Sequence, residues 1–135
     1  CLATAIYFEA RGEPIIGQIA VANVIINRVY DERYPDDVCS VVKQGPTYTW
    51  KPDYPIRDKC QFSFFCDGKS DYAPKGNAWD TSVMVAYGVM SMRTYDVTEG
   101  ATHYHATYVY PDWAESKQKT VQINNHVFYR WNYGK

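Results

Sequence analysis

Apolar residues recur at helical spacing through the first third of the chain. Leu2, Ala3, Ile6 and Ala10 fall along one face of a helix over 1–10. Ile15, Ile16, Ile19, Ala20, Val21, Val24, Ile25 and Ile26 follow in a run that is apolar on most sides. A helix over 14–29 is therefore predicted at the centre of the core. Asn23 and Asn27 recur on that helix, either as bonds into the core or toward the loop that follows Glu9, or as capping or exposed positions. Pro35-Asp36-Asp37 reads as a third helix start, with Val38, Val41 and Val42 as its apolar stripe. From 45 to 77 the pattern is irregular, with four prolines and many aromatics, which argue for an ordered functional loop. Helical spacing resumes over 78–93 through Trp79, Val83, Ala86, Tyr87 and Met90. The stretches 102–110 and 120–131 are rich in Thr, Tyr, Val and Phe and read as short strands. Helices first and strands late give an α+β fold class, a mainly helical core with short late β-strands, in one domain over 1–135.

The junction of the first two helices carries the sharpest chemical signal. Glu9 stands at the end of the first helix, and Gly12 and Pro14 follow it. Gly suits the position past a helix and Pro the start of the next. A carboxylate at a helix C-terminus meets the negative end of the dipole, and apolar neighbours Ile6, Tyr7 and Phe8 desolvate it. Both effects raise its pKa, as a general acid working near neutrality requires. Glu13, four residues on, is the candidate second acid; its plainer role is a polar residue at the next helix start.

Composition narrows the partners. The 135 residues carry a net charge of −1, so no strong field draws nucleic acid or anionic lipid. No run approaches the ~20 apolar residues of a membrane span. The chain begins at Cys1 already inside an apolar pattern, as a mature domain or a trimmed piece of a longer chain would. A monomer is expected, without membrane insertion. The 13 Tyr and 4 Trp offer flat faces with polar tips, suited to sugar rings or to a wet Tyr-rich core.

The four cysteines allow three pairings. Cys60 and Cys66 flank Gln61-Phe62-Ser63-Phe64-Phe65, and joining them would stabilise by roughly 2 kcal/mol. Cys1 and Cys39 would form the second pair, tying the N-terminus to the third helix. That arrangement implies an oxidising compartment; free buried thiols are the alternative. No CxxC spacing points to zinc or to redox exchange.

Other chemistries have weaker support. His103 and His105 alternate like strand neighbours, and His126 is available from a second segment. Together they are a candidate three-His zinc site with Glu9 as general base. An H-x-H pair alone is a weak signal, and no metal or other cofactor is expected. A Ser63 triad lacks any G-x-S-x-G context.

Six segments appear in a set order. They are 6–14 (IYFEARGEP), 17–29 (GQIAVANVIINRV), Gln61-Phe62-Ser63, 100–106 (GATHYHA), Pro111-Asp112-Trp113 and His126-Val127-Phe128-Tyr129. In these the chain resembles the cell wall hydrolase family of SleB and CwlJ type, over about 2–130. The resemblance implies a lysozyme-like fold, related to soluble lytic transglycosylase domains. It implies that Glu9 is the catalytic acid and that peptidoglycan is the substrate, cut between N-acetylmuramic acid and N-acetylglucosamine. In well-known members this is transglycosylation, leaving a 1,6-anhydro-muramic end. Gln61, Ser63, Tyr104, His105, His126 and Tyr129 lie in the matching blocks and are the expected glycan contacts. One embedded acid suits a lytic transglycosylase better than a two-carboxylate hydrolase. The cysteines and the aromatic stretch 48–54 depart from the pattern. A cell-separation, recycling or phage lysis enzyme (an endolysin) therefore fits as well as a spore-cortex one. The expected location is extracytoplasmic, in the envelope, periplasm or medium, or phage-delivered. A noncatalytic glycan-binding module is the alternative from another class.

Overall fold

The computed structural model describes residues 1–132; the last three residues of the expected domain lie outside the described residues. Four α-helices lead and supply most of the core: α1 Leu2–Ala10, α2 Ile15–Tyr30, α3 Val38–Val42 and α4 Asn77–Met90. A small hairpin, β1 Thr47–Tyr48 with β2 Lys51–Pro55, and a 3₁₀ turn at Ser63–Cys66 occupy the irregular stretch. Late in the chain come β3 His103–Ala106, a 3₁₀ turn at Asp112–Ser116, β4 Gln118–Ile123 and β5 His126–Arg130. The architecture is α+β, as the periodicity implies.

The middle of α2 is the buried axis. Ala20, Val21, Ala22, Val24 and Ile25 have no exposed surface. On one side they meet Ile6, Val41, Phe62 and Val85; on the other, Ala20 and Val24 meet Ala101 and Phe128 of the strand layer. The predicted central helix differs at its first turn, where Ile15 and Ile16 are about half exposed. That turn projects past the layers that enclose residues 20–28.

Element boundaries shift for local reasons. Pro14 stays extended ahead of α2 and accepts the first helical bonds from Gly17 and Gln18 through its carbonyl. Gly12 has φ +91°, a conformation that favours glycine, and this turns the chain between α1 and α2. The third helix starts at Val38, not at the Pro35 signal, because Asp37 is its cap and accepts from the Ser40 amide at 2.8 Å. The extended stretch 120–131 is a hairpin, turned at Asn124 with φ +52°.

The late strands form one antiparallel sheet in the order β3-β5-β4. His103 pairs with Tyr129, Tyr104 with Phe128, His105 with Val127 and Ala106 with His126. Alternation sends Tyr104 and Phe128 toward α2, and His105 and Tyr129 toward Trp113 on the opposite face. Asn23 and Asn27 hold the loop that feeds β3. The Asn23 side-chain oxygen accepts from the Val97 amide at 3.1 Å, and Asn27 donates to Asp96 and to the Ala101 carbonyl, each at 2.9 Å. Both asparagines thus bond to the loop over 96–101 that feeds β3, not toward the Glu9 loop.

Both cysteine pairs are bonded: Cys1 with Cys39, and Cys60 with Cys66. The first ties the start of α1 to α3. The second closes the turn that carries Gln61 and Phe62. Gly45 runs so close behind this turn that a Cβ there would meet the Cys60 Cα at 2.9 Å.

Candidate active site

Glu9 reaches the site from the last turn of α1, in which Ile6 and Ala10 are buried in the core. It borders a cavity of about 110 Å³ between α1, α2, the 60–66 turn and β3. Gln61 and Phe62 form one wall, and His103, Tyr104 and Trp113 another. Arg28 of α2 borders the same space. Among the described residues that line it, Glu9 is the one carboxylate.

The Tyr104 hydroxyl donates to Glu9 Oε1. Burial pushes the Glu9 pKa up, and this hydrogen bond partly offsets the rise. Tyr104 is held well above the usual tyrosine range by burial and by the Glu9 charge, so it remains a donor. His103 is pushed down to about 4 by burial and by the Arg28 and Lys117 charges, against an opposing pull from Asp31. At neutral pH it is therefore uncharged, with Nδ1 2.9 Å from the Thr102 hydroxyl.

The expected glycan contacts separate into groups. Tyr104 and Gln61 border the cavity with Glu9. Ser63 opens the 3₁₀ turn, exposed, and does not line it. His105 and Tyr129 bond each other at 2.9 Å on the far face of the sheet, where His105 Nδ1 donates to the Ala106 carbonyl. His126 stands behind Tyr104, ring centroids 5.1 Å apart and edge-on. Glu13 is engaged elsewhere: Asn124 Nδ2 lies 3.1 Å from it, Asn125 Nδ2 3.5 Å and His126 Nδ1 3.8 Å.

The three-His site does not assemble. His103 and His105 share the Trp113 side of the sheet, with ring centroids 5.0 and 5.8 Å from that indole. His126 packs on the other side with Tyr104 and Phe128. Among the described residues no group of three His, Cys, Asp or Glu is placed to hold a metal ion.

Arg28, Phe62, His103 and Trp113 border the cavity without having been singled out as contacts from sequence. Phe62 and Trp113 lay inside the motif blocks, but an apolar ring there reads equally as core. Arg28 lay in the 17–29 block and His103 in the 100–106 block, but a basic residue on a buried helix and one histidine of an H-x-H pair did not by themselves read as glycan contacts.

The family model described as Cell Wall Hydrolase matches residues 12–129. The spore cortex-lytic enzyme of Halalkalibacterium halodurans is 38% identical over 80 residues, 57% of this chain and 24% of that protein. The spore cortex-lytic enzyme of Oceanobacillus iheyensis is 40% identical over 81 residues, 57% of this chain and 29% of that protein. The matched part thus spans about a quarter of the length of those relatives. The catalytic domain of the germination-specific lytic transglycosylase SleB from Bacillus anthracis superposes with a TM-score of 0.68 at 26% identity, covering 96% of this chain and 90% of that one. The catalytic domain of the Bacillus cereus SleB protein gives 0.66 at 28% identity, covering 96% and 86%. The lysozyme-like α+β architecture is shared with both.

Proposed function

This chain belongs to the cell wall hydrolase family, and from that premise we propose that it cuts peptidoglycan strands between N-acetylmuramic acid and N-acetylglucosamine, with Glu9 as acid and then base. The observation that carries the reading is a lone carboxyl, raised in pKa by burial, facing a cavity walled by aromatic and polar side chains. A two-carboxylate hydrolase needs a second acid about 5 to 9.5 Å away. Glu13, the nearest in sequence, is taken up by the β4–β5 turn.

The chemistry then runs through one side chain. Protonated Glu9 gives its proton to the bridging oxygen, and the bond from that oxygen to C1 of the muramic sugar breaks. The N-acetylglucosamine side leaves with a free hydroxyl. Positive charge develops at C1, and the Glu9 carboxylate, now stabilised by the Tyr104 hydrogen bond, takes the proton of the C6 hydroxyl. The C6 oxygen bonds to C1 and closes the 1,6-anhydro ring. No water is consumed, so the product is one water lighter than a hydrolysis product. Tyr104 occupies Oε1, which leaves Oε2 to carry the transferred proton. The site of action is wall peptidoglycan outside the cytoplasm.

Mass spectrometry of fragments released from purified peptidoglycan tests the reading. Anhydro-muramic ends are expected. Reducing muramic ends would replace transglycosylation by hydrolysis. Binding without release of fragments would make the chain a glycan-binding module.

A further inference from the structure

Arg28 is 3% exposed. Its Nε donates to the Thr102 carbonyl at 2.7 Å, which joins α2 to the start of β3. Its guanidinium carbon lies 4.9 Å from the Tyr34 ring centre and 5.6 Å from that of Phe62. Among the described residues no carboxylate forms an ion pair with it. Nη1 is buried and has no hydrogen-bond partner. A guanidinium withdrawn from water without a counter-ion is costly while any of its donors stays unmet. The two ring faces offset part of that cost, but they do not supply an acceptor for Nη1.

The unmet donor belongs to a residue that borders the Glu9 cavity. Arginine has donors alone, so what it lacks is an oxygen. The cavity holds about 110 Å³, roughly the share of three or four liquid waters. That is room for the acyl end of a sugar substituent. Phe62 and Trp113 add apolar wall, suited to the carbon next to a carbonyl. Peptidoglycan sugars present such groups in two places, the N-acetyl arm and the lactyl-amide arm.

We propose that the cavity is an acyl-group pocket, in which Arg28 donates through Nη1 to a carbonyl oxygen on the sugar bound beside Glu9. The inference rests on the glycan cleavage proposed above. Arg28 then acts in binding: it holds the sugar so that the bridging oxygen meets Glu9.

The test uses the Glu9→Gln protein, which binds without cutting, and ¹⁵N spectroscopy of its arginine side chains. Peptide-bearing glycan strands should shift the Arg28 Nη signals. A shift also with N-acetylglucosamine oligomers assigns the oxygen to the N-acetyl arm; oligomers that bind, moving the Gln61 amide, yet leave Arg28 unmoved while muramic strands move it assign the oxygen to the lactyl arm. Because this arm needs no Arg28 variant, it does not depend on how such a variant folds. In the same background, Arg28→Lys keeps the charge but not the fork, and glycan affinity should fall at least ~10-fold. Glycan binding that moves the Gln61 side-chain amide and leaves Arg28 unmoved overturns the pocket while the cleavage reading stands. A folded Arg28→Lys protein that binds as tightly as its parent also overturns it. No binding of either ligand, with no fragments released by the native protein, removes both.

Discussion

The Tyr104 hydroxyl donates to Glu9 Oε1 across 95 positions of sequence. The bond links the C-terminal turn of the first helix to the first strand of the late sheet. It is a hydrogen bond to the charged form, so it pulls the Glu9 pKa down against the larger effect of burial. The acid is therefore set by two opposed influences from two ends of the chain.

Removing the Tyr104 oxygen separates those influences. Tyr104→Phe keeps the ring against Phe128 and takes away the donor. The Glu9 pKa should rise further, so the alkaline limb of kcat/KM, which follows loss of the acidic proton, should move to higher pH. The rate at its optimum should fall by about 5- to 150-fold, the value of one hydrogen bond to a developing charge. An unmoved limb and an unchanged rate would leave Tyr104 as a packing residue.

Glu9 also carries a stability signature with a defined sign. Its folded pKa lies above the unfolded one, so the folded state binds more protons between the two. Stability should fall as pH rises through that interval, and the penalty should be complete above the folded pKa. Glu9→Gln removes the penalty and can still accept from Tyr104. Its melting temperature should exceed that of the native protein at pH 8 and equal it near pH 4. A variant less stable than the native protein at pH 8 would contradict the burial argument.

The two disulfides should differ in weight. Cys1–Cys39 spans a separation of 38 and Cys60–Cys66 one of 6. On the chain-entropy model their loss costs about 4 and about 2 kcal/mol. Urea unfolding of the paired Ser variants should show that order. The Cys60/Cys66 variant should lose more activity per kcal/mol, because that bridge closes the turn bearing Gln61 and Phe62.

The partition of the histidines makes a further expectation. His103 and His126 stand on opposite faces of the sheet, so incubation with a chelator should leave the cleavage rate unchanged. A loss restored by zinc would revive the metal reading.

Much of this was legible from residue order. The α1–Gly12–α2 junction announced itself because Gly and Pro have few physical uses, and Glu9 stood just ahead of both. The buried middle of α2 followed from apolar residues on nearly every side. Strand alternation alone put His103 and His105 on one face, but which face meets α2 depends on register. That register is set by Phe128 packing on Ala20 and Val24. Tyr104, His105, His126 and Tyr129 were all expected as glycan contacts because they share two motif blocks; the fold brings Tyr104 to Glu9, as expected of it, with His126 behind it, and sends His105 and Tyr129 to Trp113. Arg28 was opaque for a related reason. A basic residue on a buried helix reads as snorkelling until its partners are seen, and here Nε bonds to a carbonyl 74 positions away.

The central claim is that one carboxyl, Glu9, performs the cleavage. Turbidity loss of purified peptidoglycan, followed in parallel for Glu9→Gln and Glu13→Gln, tests it most directly. Glu9→Gln should lower the rate at least ~10²-fold with the fold intact, because the transferred proton is gone. Glu13→Gln should cost far less, since Glu13 is bonded to the β4–β5 turn. Equal losses in the two variants, or near-native clearing by Glu9→Gln, would contradict the single-acid account.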